Sequence, residues 1–122
     1  MNNIHFIDTI AFNKKTFKTT MVLKYGSGEY HAVEVISNKK DFVDFRVGFL
    51  LAYLKFELYD VKYKALIHEL FRNGKPRITF LQGYASHLFD NFRQMNKVLD
   101  AIKSEKDQVN IGGRIIKLVW KE

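Results

Sequence analysis

Four histidines are the residues in this sequence most able to do chemistry, and spacing decides what each can do. His68-Glu69 opens like a zinc-protease motif. That motif needs a second imidazole one helical turn later, on the same face, and Arg72 stands there instead. His31 and Glu34 lie three apart in a strand-like segment, so they point to opposite faces, and neither His5 nor His87 has a second donor at ligand spacing. Surface or hydrogen-bonded imidazoles are expected at all four. The chain has no Cys, which excludes a disulfide framework, a thiolate zinc site and a cysteine nucleophile together. Gly26-Ser27-Gly28 lacks the longer Gly spacing and the Lys-Ser/Thr pair that cradle phosphates. Gly74-Lys75 runs into Pro76, which has no N–H to offer. Asp41 and Asp44 suit a helix start better than an acid–base pair, which needs one carboxyl held neutral in an apolar setting. No catalytic residue, metal ligand or cofactor is assigned, and an enzyme would have to assemble its groups from distant positions.

Cationic side chains give the stronger signal. The net charge is +7 and the pI near 9.6, which favours polyanions or acidic protein surfaces as partners. Residues 1–59 carry 8 basic and 6 acidic side chains and residues 60–122 carry 12 and 7, so most of the excess lies in the second half. There Arg72, Lys75 and Arg77 cluster at a helix end and the following strand, and Arg114, Lys117 and Lys121 lie on the last strand. If those two strands are neighbours, the six make one basic surface for phosphates, with Tyr84 near enough to stack on a base. Lys14, Lys15 and Lys18 read as a solvated turn. No recognition helix or aromatic RNA-binding sheet motif is present.

The elements that must position these groups follow from hydrophobic periodicity. Residues 4–12 read as a strand interrupted only by Asp8. Residues 17–25 alternate, with Phe17, Thr19, Met21, Leu23 and Tyr25 on one face and Lys18, Thr20, Val22 and Lys24 on the other. Gly26-Ser27-Gly28 turns the chain into a partner strand over 29–36. Residues 41–71 hold the densest run of large apolar side chains and read as two helices. The first, capped by Asp41 with Asp44 in its opening turn, is apolar almost all round from 42 to 58, as a buried central helix must be. The second starts at Asp60, turns Val61 and Ala65 inward beside Leu58, with Leu66, Ile67, Leu70 and Phe71 extending that side and Lys62, Lys64, His68 and Glu69 on the wetter one, and ends at Asn73-Gly74 before Pro76. Residues 76–81 read as a strand. Ser86 caps a third helix with an apolar stripe at Leu88, Phe92, Met95, Leu99 and Ile102, whose surplus could seat a partner helix or a second copy. The end of the chain forms a hairpin around Gly112-Gly113 or a bulged strand. The expectation is one α+β domain over residues 1–122: an antiparallel sheet of about five strands on a buried central helix and two further helices, in the order β-β-β-α-α-β-α-β. No apolar run approaches the ~20 residues of a membrane span, and the start of the chain lacks a signal-peptide pattern, so a cytoplasmic location is expected.

The segments TMVLKY-GSG-EYHAVEV, DFVDF, GFLLAYLK from Gly48 and YKALIHEL from Tyr63 together resemble small uncharacterised proteins of bacteriophages and prophages of Gram-positive bacteria. The resemblance spans about residues 20–71, under half the chain. It departs from the pattern in the turn, which usually carries Asp-Gly, and at Lys55-Phe56-Glu57, where paired basic residues usually end the helix. It implies a viral accessory protein working in the host cytoplasm and brings no site residue with it.

Three readings follow from these observations. The first is a stoichiometric inhibitor docked on a bacterial host protein or ribonucleoprotein, such as a defence nuclease, since occupying a partner needs a folded patch and no chemistry. The positive charge argues against mimicry of DNA. The second is a basic nucleic-acid-binding module, and the third an enzyme with a dispersed site.

Overall fold

Alternation along the first three strands and the last one dictates a sheet with one apolar side, and the helices gather on that side. A computed structural model describes residues 5–36, 44–58, 60–71, 81 and 92–122. Within them β1 (His5–Asn13), β2 (Lys18–Tyr25), β3 (Tyr30–Ile36), β4 (Gln108–Ile111) and β5 (Arg114–Lys121) form one sheet in the order β3-β2-β1-β5-β4. The helices are α1 (Phe45–Glu57), α2 (Asp60–Phe71) and α3 (Phe92–Lys103). The chain is α+β, with five strands packed on a buried first helix, as the sequence implies.

The strand pairing departs from the expectation. The sheet is mixed, because β1 and β5 run parallel, with Thr9 opposite Lys117 and Asn13 opposite Lys121. A parallel pair needs a long connection, and the chain between β1 and β5, which includes α1, α2 and α3, supplies one. No strand stands between α2 and α3 among the described residues. Residues 76–80 of the expected strand lie outside them, and its last residue, Leu81, is helical and fully buried.

Local chemistry explains the strand ends. An irregularity at Asp8 shifts the register between Ile7 and Thr9, which lets Ile7 and Ile10 both face the core despite their odd spacing. Phe17, read as the first residue of a strand, instead adopts a positive φ of 59° in the β1–β2 turn, where its amide donates to the Asn13 carbonyl. Gly112 and Gly113 carry φ of 58° and 85°, as a two-residue type I′ hairpin between β4 and β5 demands.

α1 is capped by Asp44, whose carboxylate accepts from the Arg46 amide at 3.0 Å and from its guanidinium at 2.7 Å. Burial opposes ionisation of Asp44, but these bonds outweigh it and hold the carboxyl below its usual range. Asp41, the expected cap, lies outside the described residues. Every residue from Val47 to Leu54 is buried, so the helix is enclosed all round, against β2 and β3 on one side and α2 and α3 on others.

α2 corrects one expected face. Val61 is 79% exposed and Ala65 is exposed, whereas Tyr63 touches the core alongside Leu66 and Ile67. Leu66 and Ile67 are therefore inward as expected, and Tyr63, three and four residues before them, completes the stripe in place of Val61 and Ala65; burial pushes the Tyr63 hydroxyl up to about 12. α3 buries Met95, Val98, Leu99 and Ile102 in the chain's own core, so the stripe is used within the fold. It ends in a Schellman motif, with Glu105 at φ 49° and the Lys106 amide donating to the Ala101 carbonyl.

Thr19 is the one buried polar residue among the described residues, and its hydroxyl meets no hydrogen-bond partner among them. It lies between Phe12 and Val35 in register. Replacing it with the isosteric Val removes a desolvated hydroxyl without opening a cavity. Thr19→Val is therefore expected to raise stability by about 1 kcal/mol, read as a higher urea midpoint at unchanged m-value.

Candidate binding surface

Strand alternation sends every second side chain away from the helices, and the register fixes which of them become neighbours. At one end of this open face Tyr30, Lys24 and Phe6 stand opposite one another across β3, β2 and β1. Tyr30 is 60% exposed, and the Lys24 ammonium lies 5.5 Å from its ring centre. Arg114, which opens β5, sets its guanidinium 3.9 Å from the centre of the Phe6 ring. At the other end Ile36, Lys18, Asn13 and Lys121 line up across β3, β2, β1 and β5. Between these rows lie Lys117 beside Thr9, and Val119 beside Ala11.

The face is cationic with an apolar floor. Glu34 lies 3.8 Å from Lys18, an exposed pair of little energetic weight that cancels one lysine locally. Half-buried Lys24 and exposed Lys117 and Lys121 lie on a face that also exposes Ile36, Ile115 and Val119. At the margin Lys14 pairs with Glu105 and stands 5.6 Å from the Trp120 ring centre; the hydrogen bond to Glu105 raises its pKa. One edge of the sheet is guarded as well, since the Lys55 ammonium of α1 donates to the Glu34 carbonyl of β3 at 2.9 Å.

The expected basic surface is met in part. Arg114, Lys117 and Lys121 are exposed on β5, and Lys117 and Lys121 share the open face roughly 13 Å apart, at about 3.3 Å per residue. Arg72, Lys75 and Arg77 lie outside the described residues. The neighbours of β5 are β1 and β4, and β1 brings β2 with it. Sequence reasoning therefore missed Lys18, Lys24, Tyr30 and Phe6 as members of one face. The alternation of β2 already put both lysines on one side; the order of the strands was the missing piece.

The histidines fall elsewhere. His5 Nε2 lies 3.5 Å from Glu57 Oε1, and its ring meets Phe56 at 4.8 Å and Tyr25 at 6.1 Å, tying the start of β1 to the end of α1. His31 rests 5.9 Å from the same Phe56 ring, on the face opposite to Glu34. His68 is exposed on α2, and His87 lies outside the described residues. Among the described residues no group of three His, Asp or Glu side chains is placed to hold a metal ion, and no helix is long and apolar enough to cross a membrane. No protein-family model, no curated protein and no solved structure matches the chain.

Proposed function

We propose that this chain is a non-enzymatic accessory protein of phage type, which works in the cytoplasm of a bacterial host by laying the open face of its sheet on an anionic surface. The observation that carries the reading is the open face itself, where Lys24, Lys117 and Lys121 are set among exposed apolar side chains with no helix across them among the described residues. A surface of that kind gains binding energy from apolar contact and orientation from charge. A stoichiometric inhibitor of a host nuclease or ribonucleoprotein requires no more than this, and the resemblance to small phage proteins points the same way. The aromatic and cationic row at Tyr30, Lys24 and Phe6 favours a second reading, a basic nucleic-acid-binding module.

Capture from bacterial lysate with and without nuclease, read by mass spectrometry, tests the proposal. The wild-type chain is expected to retain a host partner after nuclease treatment. A folded Lys117→Glu/Lys121→Glu variant is expected to retain it at least ~100-fold less, because like charges brought together cost several kcal/mol and each ~1.4 kcal/mol is a factor of ten. Equal capture by both baits would remove the open face from the interaction.

A further inference from the structure

Given that the open face is the binding face, the row across its end identifies a ligand class. Tyr30, Lys24, Phe6 and Arg114 alternate ring, cation, ring, cation in adjacent positions. We infer that this row holds single-stranded nucleic acid, with one base on the Tyr30 ring, a second on the guanidinium plane of Arg114 backed by Phe6, and the intervening phosphate on Lys24. The backbone then follows β5 past Lys117 and Lys121.

Spacing and exposure support the assignment. Tyr30 and Phe6 are separated by two strand intervals, about 9.5 Å, whereas stacked bases in a duplex strand rise about 3.4 Å. Bases that reach both positions must be unstacked and splayed, as they are in single strands. A duplex presents phosphates but no free base faces, so it meets only the lysines. An acidic protein surface engages the lysines and packs on the Tyr30 ring, so a preference for single strands over duplexes is what marks nucleic acid as the ligand of this row. The guanidinium 3.9 Å from the Phe6 ring centre is already held in place, so little ordering cost is added when a base stacks on its outer plane.

Fluorescence anisotropy of the full chain with labelled mixed-sequence 12-nucleotide RNA and DNA, single-stranded and as matched duplexes, over a salt series, tests this. Single strands are expected to bind at least tenfold more tightly than duplexes. Tyr30→Ala, at an exposed position, is expected to weaken single-strand binding by about tenfold while leaving the salt slope unchanged. Lys24→Gln is expected to reduce the slope by about 0.7. Equal affinity for both forms, or full affinity in a folded Tyr30→Ala variant, overturns the inference. If nucleic acid does not bind at all, yet a nuclease-resistant partner is captured and lost on Lys117→Glu/Lys121→Glu, the inference falls and the open-face reading stands. If that double variant alters neither nucleic-acid binding nor capture, the open-face reading itself falls.

Discussion

Leu54→Asp is expected to leave the chain without a cooperative thermal transition. Leu54 is fully buried on α1, the helix that packs on β2 and β3 and touches both other helices. A carboxylate there either stays ionised without a partner or takes up a proton at several kcal/mol, and it also removes the packing of a large apolar side chain. Domains of this size hold only about 5–15 kcal/mol of net stability, so a single lesion of this kind takes most of it. Circular dichroism melts and gel filtration read the result. Leu51, 4% exposed, should respond in the same way, while Val61→Asp, at a position 79% exposed, should stay within about 0.5 kcal/mol of wild type. A Leu54→Asp variant that melts cooperatively near the wild-type temperature would mean that α1 does not occupy the centre.

The contrast between Leu54 and Val61 marks what the sequence could say. A run of apolar residues enclosing a whole helix has one physical solution, burial, so α1 was legible from residues 42–58 alone. Local rules were equally readable: alternation gave β2 with its two faces, the glycines at 26 and 28 gave one hairpin, and Gly112-Gly113 narrowed the end of the chain to a hairpin or a bulged strand, of which the structure shows the hairpin. α2 was harder because its apolar residues are spread over more than one face. Val61 and Tyr63 compete for the inward direction, and the larger ring buries more surface. Least legible was the order of strands. The pairing of β1 with β5 joins residues more than a hundred positions apart, and no local propensity encodes which edge a returning strand will choose. The candidate site inherits this asymmetry. Lys117 and Lys121 were recognisable as cations on a strand, whereas their alignment with Lys18 and Lys24 exists only once β1 lies between β5 and β2.

Phe12→Ala tests that junction directly and is expected to cost about 3–5 kcal/mol. Phe12 is fully buried and stands opposite Trp120 across the parallel pair, their rings stacked with centres 4.4 Å apart and planes within 22° of parallel. Phe45, the first residue of α1, closes the cluster at 5.1 Å from Phe12 and 5.9 Å from Trp120. Removal of the central ring opens a cavity that touches two strands and a helix at once, and strands locked in register cannot close on it. Trp120 is the only tryptophan, and its indole N–H donates to the Lys106 carbonyl at 3.0 Å, so its fluorescence reports on this joint alone. In Phe12→Ala the emission should shift to the red in the folded baseline, before the main transition, and the urea midpoint should fall. Phe12→Leu, which refills most of the volume, should recover more than half of the lost stability. If Phe12→Ala loses stability but its folded-state emission is unchanged, Trp120 is not packed on Phe12. The parallel pairing would then lose its main side-chain support, and with it the alignment that places Lys117 and Lys121 on the same face as Lys24.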